Sequence, residues 1–132
     1  MKHYEVSAAI VIDRDRVFCA QRGKSKFYYI SEKYEFPGGK IEHGETKEEA
    51  LKREMLEEFN MEIEVKEHLL TVEHKYPDFS LTMHCFTCKR IGGIMTLKEH
   101  LDFKWLTFDR LDTLDWAEAD LPVVEKLKEL KM

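Results

Sequence analysis

The chain of 132 residues is 43% hydrophobic and 36% charged and carries a formal net charge of −5, so one domain spanning 1–132 with a real core is expected. No apolar run approaches the roughly 20 residues of a membrane-spanning helix. The opening stretch MKHYEVSAAIVID lacks the basic start and small-residue cleavage site of a signal peptide. The expected location is therefore the cytoplasm, with no membrane partner. Lysines and arginines are scattered among acids, so polymeric nucleic acid is not an expected partner. A small phosphorylated ligand stays open, because a bound cation reverses the sign of an acidic site.

In chain order, EVSAAIVID (5–13) and RVFCAQR (16–22), joined through the polar Asp13-Arg14-Asp15, predict a β-hairpin. A loop with four aromatics (23–34) leads to Glu35-Phe36, the elbow Pro37-Gly38-Gly39 and a short strand at KIE. Thr46 and Glu49 form a capping box that opens a helix running to about Asn60. Long strands are predicted at 62–76 and 81–91, turning at Pro77-Asp78. Gly92-Gly93 then leads towards a strand at 103–108 and a short helical turn. An amphipathic helix over 120–131 places Leu121, Val124, Leu127 and Leu130 at helical spacing. The pattern is a mixed sheet with two helices, α/β or α+β in a single domain. Cys19, Cys85 and Cys88 make an odd set that argues against a disulfide framework. Cys85 and Cys88 are three apart on a strand, hence on opposite faces. They read as buried small hydrophobes, not as metal ligands.

The helix from Thr46 carries Leu51, Met55, Leu56 and Phe59 on one arc and Glu54, Glu57 and Glu58 on a bordering arc. Like charges at i, i+3 and i+4 repel. Either they form a solvated acidic face, or a hard divalent cation, Mg²⁺ or Mn²⁺, sits among their oxygens. Upstream, the glycines of Phe36-Pro37-Gly38-Gly39 permit close backbone approach.

The segment Gly39, KIEHG, Glu45, TKEEALK, Arg53-Glu54-Met55-Leu56-Glu57-Glu58-Phe59-Asn60-Met61 resembles the signature of the Nudix hydrolases. One defined position departs: Asn60 stands where the family has Gly, at a helix end that wants a left-handed residue. Within the family the resemblance is closest to the MutT-like nucleotide pyrophosphohydrolases, and it extends over AAIVI, Ala20-Gln21-Arg22, EFPGGKIE and the C-terminal FKWLTFDRLDTLDWAEADLPVVEKL. The stretch WAEAD is similar to the subgroup acting on CTP-type and oxidised nucleotides.

The resemblance implies a mixed sheet sandwiched between helices and metal-assisted hydrolysis of a nucleoside triphosphate to monophosphate and pyrophosphate. It implies Glu54, Glu57, Glu58 and the Gly38 carbonyl as ligands to Mg²⁺ (or Mn²⁺). Glu54 or Glu99 would serve as base, with an ordinary loop glutamate as the alternative for Glu99. Arg53 would orient the loop through Glu45. Phe36 and Pro37 are expected beside the substrate. Arg22 would steady a phosphate or lie at the surface as an ordinary charge. Asp120 would read the base, or serve as N-cap ahead of Leu121-Pro122. As an ionised acceptor it suits a guanine edge, whereas the subgroup resemblance favours (d)CTP. Phe27, Tyr28, Tyr29 and Phe79 would stack on a base or simply pack. A nucleotide is the expected partner, with the chain a monomer or homodimer. Sanitation of oxidised nucleotides such as 8-oxo-dGTP is the expected task. Other nucleoside diphosphate derivatives, or a non-catalytic nucleotide-sensing module, are the alternatives.

Overall fold

Strand β1 (Lys2–Asp13) is the axis of the fold, described in a computed structural model over residues 1–130. Its run Ala8, Ala9, Ile10, Val11 is almost wholly buried because both faces are covered, which is why it reads as a continuous apolar stretch with no alternation. It turns through Arg14-Asp15 into β2 (Arg16–Gln21), with Ile12 opposite Val17. β3 (Tyr34–Glu35) and β4 (Gly38–Lys40) are short; β3 pairs with β2, and β4 pairs antiparallel with β1. Helix α1 (Lys47–Phe59) precedes β5 (Glu62–Lys75) and β6 (Phe79–Gly92), an antiparallel pair. β6 lies parallel to β1 over ten residue pairs from Lys2↔Phe79 to Val11↔Cys88. β7 (Asp102–Thr107) pairs with β2. Two 3₁₀ turns, Phe108–Thr113 and Glu118–Asp120, lead to α2 (Leu121–Leu130).

The mixed sheet separates two apolar layers. On one side Ala9, Val11, Phe18, Phe86 and Cys88 meet Leu51, Met55 and Phe59 of α1. On the other Ala8, Ile10, Cys19 and Cys85 meet Val123, Val124 and Leu127 of α2. The expected sheet between helices is therefore present, and Cys85 and Cys88 do face opposite layers. All three cysteines are buried and free.

Several details differ from the periodicity. Leu56, Leu121 and Leu130 are 48%, 45% and 44% exposed, while Val123 is fully buried. Each helix is rotated so that its narrower, better-packed arc faces the sheet. The short strand is Gly38–Lys40, not KIE, because pairing with Val6–Ala8 captures the elbow glycines themselves. The predicted helix end at Lys131 lies outside the described residues.

Both ends of α1 behave as their residues dictate. The Glu49 amide donates to Thr46 Oγ1 (3.0 Å) and the Thr46 amide to Glu49 Oε1 (2.8 Å). Asn60 closes the helix at φ 52°, and its side-chain amide donates to the Ile94 carbonyl at 3.0 Å. Replacing Asn60 with Ala is expected to lower unfolding free energy by about 1 kcal/mol, because a Cβ without a compensating bond is left in the left-handed region. Asn60→Gly should stay near wild type in the same denaturant melt. Equal losses for the two would remove the left-handed conformation as the reason for Asn60.

Candidate active site

The site forms where the elbow presses on α1. A Cβ at Gly38 would overlap the Ser7 carbonyl, and one at Gly39 would overlap the Glu54 carboxylate. Glycine is required at Gly38 because backbone occupies the space a side chain would need, whereas a side chain at Gly39 would displace the Glu54 carboxylate. The Ala9 amide donates to the Pro37 carbonyl at 2.7 Å, fixing the elbow to β1.

Arg53 holds this corner together. Its Nε and Nη2 donate to the two oxygens of Glu45 (2.6 and 3.0 Å). Nη1 reaches Glu54 (3.0 Å) and Glu57 (3.3 Å), and Nη2 also donates to the Lys40 carbonyl (3.2 Å). The fork to Glu45 ties the loop to the helix. Glu45 is held below the usual carboxylate range, first by the Arg53 bond and then by the Glu42 amide.

Glu58 stands deeper than Glu57, with side chains 27% and 60% exposed. Burial and a hydrogen bond shared with Glu54 push the Glu58 carboxyl up to about 7. A carboxyl raised by burial and a neighbouring acid is one whose proton a bound cation would displace. Among the described residues, no three His, Cys, Asp or Glu side chains stand close enough as placed to hold a metal ion. Arg53 engages Glu57 instead.

Two residues that sequence reasoning passed over join this corner. Glu35 Oε1 accepts from Arg22 Nη1 at 2.9 Å, and its Oε2 lies 2.8 Å from His100 Nε2. His100 Nδ1 lies 3.4 Å from Glu58 Oε2. Burial alone would raise the Glu35 carboxyl, but the His100 and Arg22 contacts outweigh it and hold Glu35 low. The available signal was weak: Glu35 immediately precedes the Phe-Pro-Gly-Gly elbow, and His100 immediately follows Glu99.

Two clefts meet here. One, of about 350 Å³, is walled by Tyr76, Phe79, Leu81 and Met83 and contains Asp120. The other, open and polar, contains Glu58, Glu99 and His100. Arg22, Ser25, Glu35 and Gly38 line both. The Nε of Arg22 is buried without a hydrogen-bond partner among the described residues. Glu99 is exposed at the rim. Phe36 lines the first cleft and stacks on Trp116 at 4.5 Å. Pro37, expected beside the substrate, is buried and lines neither cleft, its carbonyl being committed to β1.

Of the aromatics, Phe27, Tyr29, Tyr76 and Phe79 pack on one another. Tyr28 is 83% exposed and reaches only the edge of Tyr29.

Asp120 does not cap α2. It is 4% exposed, and its Oδ1 accepts from the Phe36 amide at 2.9 Å, tying the second 3₁₀ turn to the elbow. Burial, then the charge of Glu35, raises its carboxyl well above the ordinary range. The shift favours the protonated form, and a neutral carboxyl both donates and accepts where an ionised one only accepts.

Known proteins share this architecture. A family model described as a NUDIX domain matches residues 7–126. An 8-oxo-dGTP diphosphatase of Escherichia coli K12 is 31% identical over 131 residues, covering 98% of this chain and 100% of the relative. A CTP pyrophosphohydrolase of the same strain is 28% identical over 131 residues, covering 99% and 96%. The solution structure of the E. coli ORF135 protein superposes with a TM-score of 0.84 at 28% identity, covering 98% of this chain and 91% of that one. A MutT Nudix hydrolase structure from methicillin-resistant Staphylococcus aureus 252 superposes at 0.74 with 35% identity, covering 98% and 99%.

The raised Glu58 carboxyl has a testable sign. In the folded protein it binds its proton up to about 7, against an ordinary value of 4.5. The folded state therefore holds more protons than the unfolded state between those values, and stability is lost as pH rises through that window. In chelator, Glu58→Gln should remove part of this fall, so that its melting temperature exceeds wild type at pH 8 by more than at pH 4.5. A constant difference across that range would show that Glu58 titrates normally.

Proposed function

Because the chain belongs to the Nudix family of hydrolases, which act on phosphoanhydrides with divalent metals, we propose that it is a Mg²⁺-dependent nucleoside triphosphate pyrophosphohydrolase. The proposed reaction converts a nucleoside triphosphate and water to the monophosphate and pyrophosphate. The observation that carries this reading is the continuity of the two clefts through Arg22, Glu35 and Gly38. An apolar pocket of about 350 Å³ suits a nucleoside, and the acidic cleft beside it suits a cation-bound polyphosphate.

The donor set fits a hard cation. Glu54 is close enough to raise the Glu58 carboxyl, Glu57 is one helical turn from Arg53, and Gly38 borders the cleft that contains Glu58. When bound, Mg²⁺ (or Mn²⁺) would supply charge neutralisation on phosphate oxygens and an activated water. The chain's own residues supply the rest. Arg53 and Glu45 orient the elbow against α1. Arg22 offers its unpartnered Nε to a phosphate, and Glu99 at the rim is available to take a proton. The protein is read as cytoplasmic, a monomer or homodimer over a single Nudix domain of residues 1–132. No helix among the described residues is long and apolar enough to cross a membrane.

Asp120 supports a specific substrate class. A neutral carboxyl whose carbonyl oxygen already accepts from the Phe36 amide presents a donor next to an acceptor. That pair matches the O6 and N7–H of 8-oxoguanine. It mismatches the N7 and O6 edge of ordinary guanine, which offers two acceptors. We therefore read an oxidised guanine nucleotide such as 8-oxo-dGTP as the substrate, in line with the diphosphatase names among the relatives. The cytosine edge, N3 acceptor beside N4 donor, satisfies the same carboxyl. This favours CTP-type nucleotides as the second reading, in line with the CTP pyrophosphohydrolase relative.

Turnover of 8-oxo-dGTP, dGTP, CTP and dCTP with Mg²⁺ decides between them. Asp120→Asn keeps a donor and an acceptor and is expected to retain kcat/KM for the preferred nucleotide within about tenfold. Asp120→Ala should lose at least about tenfold and compress the ranking, because it leaves the base edge and the Phe36 amide unpaired. An unchanged ranking in Asp120→Ala would take base recognition away from this residue.

The acidic helix has its own test. Glu57→Gln or Glu58→Gln should cut hydrolysis at least about 100-fold in saturating Mg²⁺. Full turnover by both variants would remove the metal assignment.

A further inference from the structure

We propose that His100 is a positioning residue that sets the orientation of the Glu58 carboxylate and couples it to the Arg22–Glu35 pair at the junction of the two clefts. The assignment rests on the reading of Glu58 as a metal ligand.

The geometry is specific. The His100 side chain is 8% exposed and sits between two carboxylates from different elements, Glu35 of β3 and Glu58 of α1. Nε2 is committed to Glu35 Oε2 at 2.8 Å. Nδ1 is buried without a hydrogen-bond partner among the described residues, and Glu58 Oε2 lies 3.4 Å from it. The ring therefore makes one hydrogen bond, to Glu35, and faces Glu58 as a close charged neighbour.

The ring has little freedom to move instead. Its face packs on Phe59 with centroids 4.7 Å apart, and Phe59 is 1% exposed and held edge-on by Phe18 at 5.2 Å. The following residue is pinned by the Leu101 amide donating to the Gln21 carbonyl at 2.9 Å. On the other side Gly23 approaches so closely that an added Cβ would sit 3.3 Å from the Glu99 carbonyl oxygen. A core histidine that merely filled space would not need two acidic neighbours; here their placement defines the ring's plane.

A carboxylate ligand has two oxygens. An outer partner on one of them determines which oxygen, and which direction, the other offers to a cation. His100 fills that outer place for Glu58. Through Nε2 it also links the ring beside Glu58 to Glu35, whose other oxygen holds Arg22. A phosphate that draws Arg22 from Glu35 changes the anchor of the ring that orients Glu58. Substrate and metal binding should therefore be coupled through this one imidazole.

The test is a direct Mn²⁺ titration of the whole protein, following the free-ion electron paramagnetic resonance signal, alongside steady-state kinetics at varied metal. His100→Ala is expected to weaken Mn²⁺ binding about 10- to 100-fold. The kinetic loss should appear chiefly as a raised half-saturating metal concentration, with kcat at saturating metal falling less than tenfold. His100→Gln, which retains an amide donor, should recover part of the affinity. Glu35→Gln leaves His100 in place and replaces its charged anchor with a neutral amide. It should weaken Mn²⁺ binding in the same direction even if the alanine variant does not fold.

Mn²⁺ affinities of the histidine and Glu35 variants equal to wild type, with only melting temperature reduced, would overturn the positioning role alone. A wild-type protein that binds no Mn²⁺ would instead remove the metal-site reading beneath it.

Discussion

Glutamates on adjacent turns of a helix repel one another, and one guanidinium ties two of them, Glu54 and Glu57, to the loop before the helix. Arg53 serves Glu45, Glu54, Glu57 and the Lys40 carbonyl at once. Only a planar fork with five N–H groups can meet that many acceptors from one position, which a lysine ammonium cannot reproduce. The side chain is 23% exposed and Glu57 far more so, so the network contributes more to geometry than to stability. Its effect is that Glu54 and Glu57 are held against the elbow by the protein's own contacts.

The second constraint is the absence of side chains at Gly38 and Gly39. Ser7 and Glu54 occupy the space on either side of the elbow, so β4 meets the backbone of β1 on one side and the Glu54 carboxylate of α1 on the other. That convergence makes Gly38 the common edge of an apolar pocket and an acidic cleft. The two chemistries required of a nucleotide hydrolase, gripping a flat base and neutralising phosphates, are thereby brought next to each other without a long connecting loop.

Features set by neighbours in the chain were legible in the sequence. The capping box of Thr46 and Glu49, the left-handed end at Asn60, the tight turn at Arg14-Asp15 and the Arg53–Glu45 fork all depend on residues within a few turns of each other. Features set by distant pairing were not. The parallel match of β1 with β6 joins segments that no local pattern connects, and it decides which faces of the helices are covered. Periodicity identified an apolar arc on α1 and α2 but not its centre, so Leu56, Leu121 and Leu130 proved exposed. Asp120 read as a cap because Asp before Leu-Pro is a good local cap. The Phe36 amide, far away in sequence, captured its carboxylate instead. Glu35 and His100 have meaning only as a pair, and nothing in their local sequence announces the pairing.

The pairing also explains why two buried carboxylates so near each other differ in charge. Glu35 is flanked by Arg22 and His100 and stays ionised. Asp120 has one backbone amide for a partner, feels the charge of Glu35, and is driven towards its neutral form. Opposite displacement of two neighbouring acids gives them separate tasks. The ionised form of Glu35 keeps Arg22 and His100 in place at the junction of the two clefts, while Asp120 ties the second 3₁₀ turn to the elbow through the Phe36 amide. Burial beside Glu35 makes a full negative charge at Asp120 costly, so the fold biases the acid of the apolar cleft towards its neutral form while holding the acid at the junction charged.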